Sequence, residues 1–491
     1  MKNKSKRIIA YMDGDFWVEP FKKLSKEGHI ELRVVFAVLP ALMAPARKEF
    51  QDASFLSADM LKTFELSGLY KNSDNGFNDM IGLYQYLTSY DQLITSMTKR
   101  DNYAVRIRGI VNWRIHYYKI IEGLVNMISA EKPDIIFFSE IPHNYGSYLL
   151  YQVARYFEIR TLMMVMPIEL KGRIYVTDGI EDGNKLVLEE YSAGKNNLPD
   201  NIILSDDLEA NMLKIKQTYA AAKPVYVKKY IESGKTRFMS LRHLKRMLRR
   251  RNYGVNLRYN IIQRGVRRLK MIIWHRQLPS FYRDLCSDIN LTDRYIYFAL
   301  HYQPEQTSLP MAGIFENQYM TISLLSRFLP SDWYIYVKEN PYQFLNMDPH
   351  QRDFKSKLFY KTVSELPGVK LIPMRYNSFE LIDHSQAVAT LTGMTGWEAI
   401  NRGKPVLCFG YSSYRNNDGV FHINSDIDLL NAINRLENGS LVPDIKKIRF
   451  YVSLLYKHTS PGVVKNFEYD VYGINKETNS QSWYSEILKS L

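Results

Sequence analysis

Five short apolar runs recur between Tyr295 and Phe409: Tyr295–Leu300, Trp333–Val337, Val369–Ile372, Ala387–Leu391 and Pro405–Phe409, most of them separated by helix-length sequence. Continuous apolar runs of strand length can bury both faces only in a parallel sheet covered by helices on either side. The pattern therefore predicts a doubly wound, Rossmann-like α/β domain, in which ligands bind beyond the carboxyl ends of the strands. A related pattern opens the chain. Arg7–Asp15 runs from an apolar strand into a Gly turn, Glu31–Leu39 is a second strand, and Lys132–His143 holds a buried strand that stops at a Pro-containing turn. A helix over Tyr148–Phe157 and a strand over Arg160–Val165 follow. Phe50 to Tyr118 reads as mainly helical, with a break at Asn72–Gly76.

With 491 residues, two domains of roughly 200 are expected. The sequence divides as an N-terminal Rossmann-like domain over 1–204, a basic helical insert or linker over 205–288, a C-terminal Rossmann-like domain over 289–475 and a closing helix over 476–491. No apolar run reaches the roughly 18 to 20 residues that span a bilayer; Phe36–Ala46 is shorter and broken by Pro40 and Pro45. Met1–Arg7 resembles the basic start of a signal peptide, but Asp13 and Asp15 interrupt its apolar core, which argues against secretion. Cys286 and Cys408, the two cysteines, stand far apart and suggest neither a disulfide framework nor a zinc site. A cytoplasmic location is expected.

The net charge of +14 is concentrated. Lys235 to Arg276 holds fourteen Lys and Arg and no acid, interleaved with Phe238, Leu241, Leu244, Met247, Leu248 and Tyr259 and closing near Trp274. Basicity confined to one segment, without a recognisable binding module, argues against nucleic acid as a partner. It fits a cationic amphipathic helix on an anionic membrane surface, with Arg246, Arg249, Arg250 and Arg251 as candidate contacts. A solvated, partly packed helix is the plainer alternative.

The residues just after each strand should carry function. In the C-terminal domain they are His301, Gln303, Glu305 and Thr307; then Lys338, Glu339, Asn340 and Pro341; then Thr392-Gly393-Met394-Thr395-Gly396 ahead of a helix over Trp397–Asn401. Free N–H groups at a helix start, with Thr392 and Thr395 hydroxyls and glycines that let the backbone approach, suit a phosphate. The same residues also suit a plain turn in which Thr caps the helix. Glu398 can accept from a ribose or sugar hydroxyl pair, Lys338 can meet a phosphate, and Asn340 can read a base or ribose. In the N-terminal domain, Asp13, Asp15, Glu140 and His143 occupy the matching places, and any of them could deprotonate an acceptor hydroxyl. The GxxxxGK[ST], HExxH and CxxC signatures are missing, Val176–Asp182 lacks the spacing of a calcium loop, and no metal or cofactor is expected.

Together, His301–Glu305, Val337–Pro341, Thr392–Ala399 with Arg402–Gly410, and Ser139–His143 resemble the capsule polysaccharide biosynthesis family, which includes the Kps-type Kdo transferases. The resemblance spans about Tyr295 to Val420. It implies a GT-B fold of two Rossmann-like domains facing a crevice. It also implies a glycosyltransferase that moves a sugar from a nucleotide-activated donor, with a CMP-linked ulosonic acid favoured, to a growing or lipid-linked surface polysaccharide. On this view His301, Gln303, Lys338, Asn340, Thr392, Gly393, Thr395, Gly396 and Glu398 bind the nucleotide sugar. Glu140, His143 and Glu305 are the catalytic candidates, and Asp13 and Asp15 face the acceptor. The family's His-Pro pair is replaced here by Asn340-Pro341. The resemblance further implies a peripheral place on the inner face of the bacterial inner membrane, with other capsule-assembly proteins as partners. A glycerol-phosphate transferase of the teichoic-acid type and a non-catalytic polysaccharide-binding or export-assembly protein are the alternatives.

Overall fold

The computed structural model describes residues 5–63, 65–70, 79–100, 110–217, 273–274, 277–345, 354–439 and 441–491. Arg246, Arg249, Arg250 and Arg251, with nearly all of the basic segment, lie outside the described residues. Thirteen strands are described: β1 (Lys6–Met12), β2 (Ile30–Ala37), β3 (Ser54–Ser57), β4 (Ile135–Phe138), β5 (Arg160–Val165), β6 (Arg173–Thr177), β7 (Arg294–Ala299), β8 (Trp333–Lys338), β9 (Val369–Ile372), β10 (Ala387–Thr390), β11 (Val406–Cys408), β12 (Val420–His422) and β13 (Ser460–Pro461). The chain forms two compact units, the first from Met1–Asn197 with Tyr451–Leu491 and the second from Leu198–Phe450.

The first unit is built on a seven-stranded sheet in the order β13-β6-β5-β4-β1-β2-β3. Strands β1 to β5 pair in parallel, while β6 runs antiparallel to β5 and β13 antiparallel to β6. Ile8 to Met12 are all buried, as expected of a central strand with both faces covered. Trp17 and Phe21 at the helix Val18–Lys26 pack on one core with Ile8, Phe137 and Leu162, and this core also takes in Trp483 and Ile487 of the helix Lys476–Ser490.

The second unit holds a six-stranded, wholly parallel sheet in the order β12-β11-β10-β7-β8-β9. Its core runs from Ile296 and Phe298 through Ile335, Val337, Ala389 and Leu407 to Leu429 and Ile433 of the helix Asp426–Glu437. In each sheet the strand order reverses once. The chain winds outward from β1 to β3 and returns beside β1 at β4; it winds from β7 to β9 and returns beside β7 at β10. Such reversals leave a crevice at the strand ends, because the connections on either side depart in opposite directions.

Both Rossmann-like α/β units of the sequence reading are present, and their boundary falls elsewhere. Residues 451–491 belong to the first unit, not to the second domain and a separate helix, because β13 completes the first sheet and Trp483 is fully buried in its core. The mainly helical reading of Phe50–Tyr118 missed β3, whose four residues pair with β2 but are too few to show an alternation.

Trp483 donates its indole N–H to the Val463 carbonyl at 3.0 Å and packs edge-on against Phe16. Trp483→Ala should lower the stability of the first unit by about 3–5 kcal/mol, read as an earlier urea transition of that unit alone.

Candidate functional site

In the second unit, Thr392 and His301 meet at the reversal. The Thr392 N–H donates to His301 Nε2 at 3.2 Å, joining the ends of β10 and β7. His301 is anchored through its backbone as well: its N–H donates to Gln318 Oε1 at 2.8 Å, and its carbonyl accepts from Gln318 Nε2 at 3.2 Å. Burial, with the Lys355 cation nearby, pushes the imidazole down to about 3. A ring that accepts at Nε2 and stays neutral carries its proton on Nδ1. His301 therefore shapes the crevice and offers no charge to a ligand.

The turn that follows is held from several sides. Thr392 Oγ1 donates to the Thr307 carbonyl, Gly393 N–H donates to Thr390 Oγ1 at 3.1 Å, and Tyr414 O–H donates to the Gly393 carbonyl at 2.5 Å. A Cβ on Gly393 would stand 3.0 Å from His301 Nε2, and one on Gly396 would stand 2.3 Å from the Tyr414 oxygen. Both glycines thus serve contacts within the protein, and close approach of a phosphate is not needed to explain them. The helix begins at Met394, three residues before the sequence reading placed it, and its N-cap, Gly393, supplies no side-chain cap. Neither threonine caps it. The first-turn N–H groups of Met394 and Thr395, with the part-exposed Thr395 hydroxyl, are left to face outward at the positive end of the helix.

One turn further on, Glu398 is buried, and among the described residues its carboxyl makes no hydrogen bond or ion pair. Burial raises it to about 8 against the opposing pull of Lys338 and Arg402. At neutral pH it is mostly a protonated acid, able both to donate and to accept.

The other predicted donor-side residues are held by the fold. Lys338 Nζ donates to the Tyr376 carbonyl at 2.8 Å and to Ser378 Oγ at 2.7 Å. Asn340 Oδ1 accepts from the Tyr342 N–H at 3.0 Å, opening the short helix Pro341–Leu345. Gln303 N–H and carbonyl bind the Gln343 amide, and its Nε2 donates to the Glu316 carbonyl at 2.8 Å. Glu305 is exposed, and Thr307 Oγ1 donates to it at 3.0 Å. The sequence reading did not single out Lys355 or Tyr414. Lys355 is fully buried 3.5 Å from Glu339, whose other neighbour Tyr360 donates to it at 2.5 Å. Burial lowers the Lys355 ammonium despite that carboxylate.

In the first unit, Asp13 and Glu140 flank the reversal between β1 and β4. The Asp13 N–H donates to Ser139 Oγ at 3.0 Å and so ties the two strand ends. Lys465, from the segment after β13, stands 3.0 Å from Glu140. Burial works to raise the Glu140 carboxyl, but His143, Lys465 and Arg100 outweigh it and hold it below its ordinary value. His143 is itself lowered, by burial above all and by the Arg100 and Lys465 cations against the pull of Glu140, with Nδ1 2.9 Å from the Ile141 carbonyl. Glu140 is thus held between His143 at 3.8 Å and the Lys465 ammonium at 3.0 Å. Asp13 is only part-buried, and burial together with the Glu140 charge raises it, against Lys465 and the Gly14 N–H. Asp15 is exposed and accepts from Asn466 Nδ2 at 3.3 Å. No local signal marks Lys465 for this role, because it lies 325 positions from its partner along the chain.

Among the described residues no group of three or more His, Cys, Asp or Glu is placed to hold a metal ion, and no helix is long and apolar enough to cross a membrane. Because burial raises the folded-state pKa of Glu398, the native state binds its proton more tightly than the unfolded chain. Stability is therefore fully present below about 4.5 and is lost as pH rises toward and past 8. Glu398→Gln should remove that loss, so that variant and wild type diverge by roughly 3–5 kcal/mol at pH 9 and converge near pH 4 in urea unfolding.

Residues 301–424, which begin just after β7 and include β8 to β12, match the model of the family described as capsule polysaccharide biosynthesis protein. No curated protein matches the chain. Solved structures with some likeness include the Staphylococcus aureus MnaA–UDP complex (13% identity, 95% of this chain and 97% of that one, TM-score 0.24). A Neisseria meningitidis UDP-GlcNAc 2-epimerase bound to UDP-GlcNAc is similar at 13% identity, 99% of both chains and a TM-score of 0.23. The Thermosulfurimonas dismutans KpsC β-Kdo 2,7 transferase is similar at 9% identity over 75% of this chain and 89% of that one, with a TM-score of 0.29. At such scores these three carry no weight for function. The likeness to the capsule polysaccharide biosynthesis protein family thus rests on residues 301–424 of the second unit.

Proposed function

We propose that the protein is a glycosyltransferase of the GT-B type that takes a nucleotide-activated sugar and extends a bacterial surface polysaccharide, either a growing glycan or a lipid-linked primer. One observation carries this reading: an uncapped helix N-terminus at Met394–Thr395 opens beside the unpartnered, protonated Glu398 at a sheet reversal, inside the family's domain. The N–H groups and Thr395 hydroxyl would meet the donor phosphate. Glu398 would bind a ribose or sugar hydroxyl. A CMP-linked ulosonic acid remains the favoured donor. The helix end rather than a cation meets the phosphate charge, so the reaction is proposed to need no metal and no cofactor beyond the donor.

On the acceptor side the proton-accepting role moves from Glu140 and His143 to Asp13. Glu140 is held ionised in a buried pair, and His143 is buried and neutral; Asp13 is accessible and has its proton affinity raised. Glu140, His143 and Lys465 then position Asp13 and tune it. Glu305, exposed at its loop, is left as a donor-side contact. The protein would act in the cytoplasm, peripherally on the inner face of the inner membrane, alongside other capsule-assembly proteins. Arg246, Arg249, Arg250 and Arg251 would be among its membrane contacts, and nucleic acid would not be a partner.

Nucleotide release from a panel of CMP-, UDP- and GDP-sugars in the presence of acceptor glycan tests the reading. Asp13→Asn should lower the turnover rate by about 10²- to 10⁴-fold. In the wild type the rate should fall on the acid side at a higher pH than an ordinary carboxylate would give, because the raised Asp13 loses its basic form earlier as pH drops. Full activity in Asp13→Asn would return the base to another residue. No release from any donor would favour the non-catalytic polysaccharide-binding alternative.

A further inference from the structure

The long helix Ile110–Glu131 of the first unit covers the core with Ile120, Leu124, Val125, Met127 and Ile128, yet its first three turns carry a second apolar face. Ile110 is 63% exposed, Val111 65%, Ile115 50% and Tyr118 42%. At 100° per residue these four fall within about 140° of arc, on one side of the helix. The neighbouring helix Met80–Thr88 extends the patch, with Ile81 74% exposed and the Tyr84 ring 4.8 Å from that of Tyr118. A helix that faces only water has no reason to place Ile, Val, Ile and Tyr there.

The sequence leading into and along this helix is rich in cations. From Lys99 to Lys119 the sequence holds six cations (Lys99, Arg100, Arg106, Arg108, Arg114 and Lys119) and one acid, Asp101. Arg114 sits on the exposed face itself, with Asp91 as its acidic neighbour; Glu122 follows a turn later. Apolar and aromatic side chains flanked by cations, on a helix that does not meet the length and apolarity of a membrane span, are the signature of an element lying in the headgroup zone.

The position of the face is informative too. Trp113, on the same turn, packs 5.7 Å from Tyr145, the first residue of the helix Tyr145–Tyr156 that follows Glu140 and His143. Arg100 donates to the His143 carbonyl at 3.1 Å. The helix that carries the exposed apolar face is thus packed, through Trp113, on the helix that follows Glu140 and His143.

We propose that the Ile110–Tyr118 face docks the first unit on an anionic bilayer, presenting the Asp13 crevice to an acceptor held in that bilayer. These residues are distinct in sequence from the basic segment 235–276, and the inference rests on the lipid-linked-acceptor reading only for the identity of what the bilayer holds.

Two measurements on the full chain test it. In sedimentation with phosphatidylcholine vesicles, with and without phosphatidylglycerol, Val111→Asp with Ile115→Asp should reduce binding to the anionic vesicles by roughly tenfold. Ile427→Asp with Leu430→Asp, on an exposed face of the second unit, should leave it unchanged. Because the basic segment could hold the protein by itself, a polarity-sensitive fluorophore is placed at Ile115→Cys in a Cys286→Ser background. It should shift to the blue with anionic vesicles, while the same label at Ile427→Cys should not. An unshifted label at 115 overturns the proposal even if the protein still sediments. So does a wild-type dimer that the double variant converts to monomer, which would make a second copy the occupant. Nucleotide release with a water-soluble acceptor should be the same in the double variant as in the wild type, so failure of the docking surface is distinguishable from failure of the transferase reading.

Discussion

The second unit depends on one hydrogen bond across the reversal of its sheet, from the Thr392 amide to His301 Nε2. At that point the chain leaves β7 on one side and returns through β10 on the other, and past Ala389 and Phe298 the two strands no longer pair with each other. A buried, neutral imidazole supplies the acceptor that an apolar filler could not, and burial is also what keeps it neutral. Once Thr392 is fixed, its hydroxyl closes on Thr307, Gly393 on Thr390, and Tyr414 on Gly393. The helix from Met394 then begins at a set place with its leading N–H groups uncapped.

The first unit solves the same problem with charge. Asp13 and Ser139 close the gap between β1 and β4, and a carboxylate is buried there at Glu140. An isolated buried carboxylate would take up a proton; His143 and Lys465, the latter at 3.0 Å, oppose that, and burial together with the Glu140 charge raises Asp13 beside it. The cation arrives from the far end of the chain, carried by a segment that Glu468 braces through the Val464 and Lys465 amides and that Trp483 fastens at Val463. The tail therefore helps set the charge of this crevice as well as completing its core.

Much of this was legible in the sequence. The central strands could be read because burial on both faces leaves apolar runs, as in Arg7–Met12 and Tyr295–Leu300. The strand-end clusters followed from the parallel sheet, since turns there are where such sheets bind. What was not legible was long-range. The edge strands β3 and β13 are too short to show a pattern, and the return of residues 451–491 to the first sheet needs a pairing with β6 that no local signal announces. The same blindness affected individual roles. Lys338, Asn340 and Gln303 have the chemistry to bind a nucleotide, but the partners that occupy them, Tyr376, Tyr342 and Glu316, are set by packing rather than by spacing. The glycines of the 392–396 turn suggested a ligand for the same reason: the Tyr414 and His301 side chains that require them come from elsewhere in the chain.

On the proposed function, the donor nucleotide binds at the start of the helix Met394–Asn401 in the second unit. Amide hydrogen exchange on the full chain, with and without CMP, UDP and GDP, tests it most directly. One of these nucleotides should slow exchange in peptides covering 391–398 while leaving β1, β4 and the rest of the first unit unchanged. Protection confined to other strand ends, or none at 391–398 with a nucleotide that demonstrably binds, would contradict it.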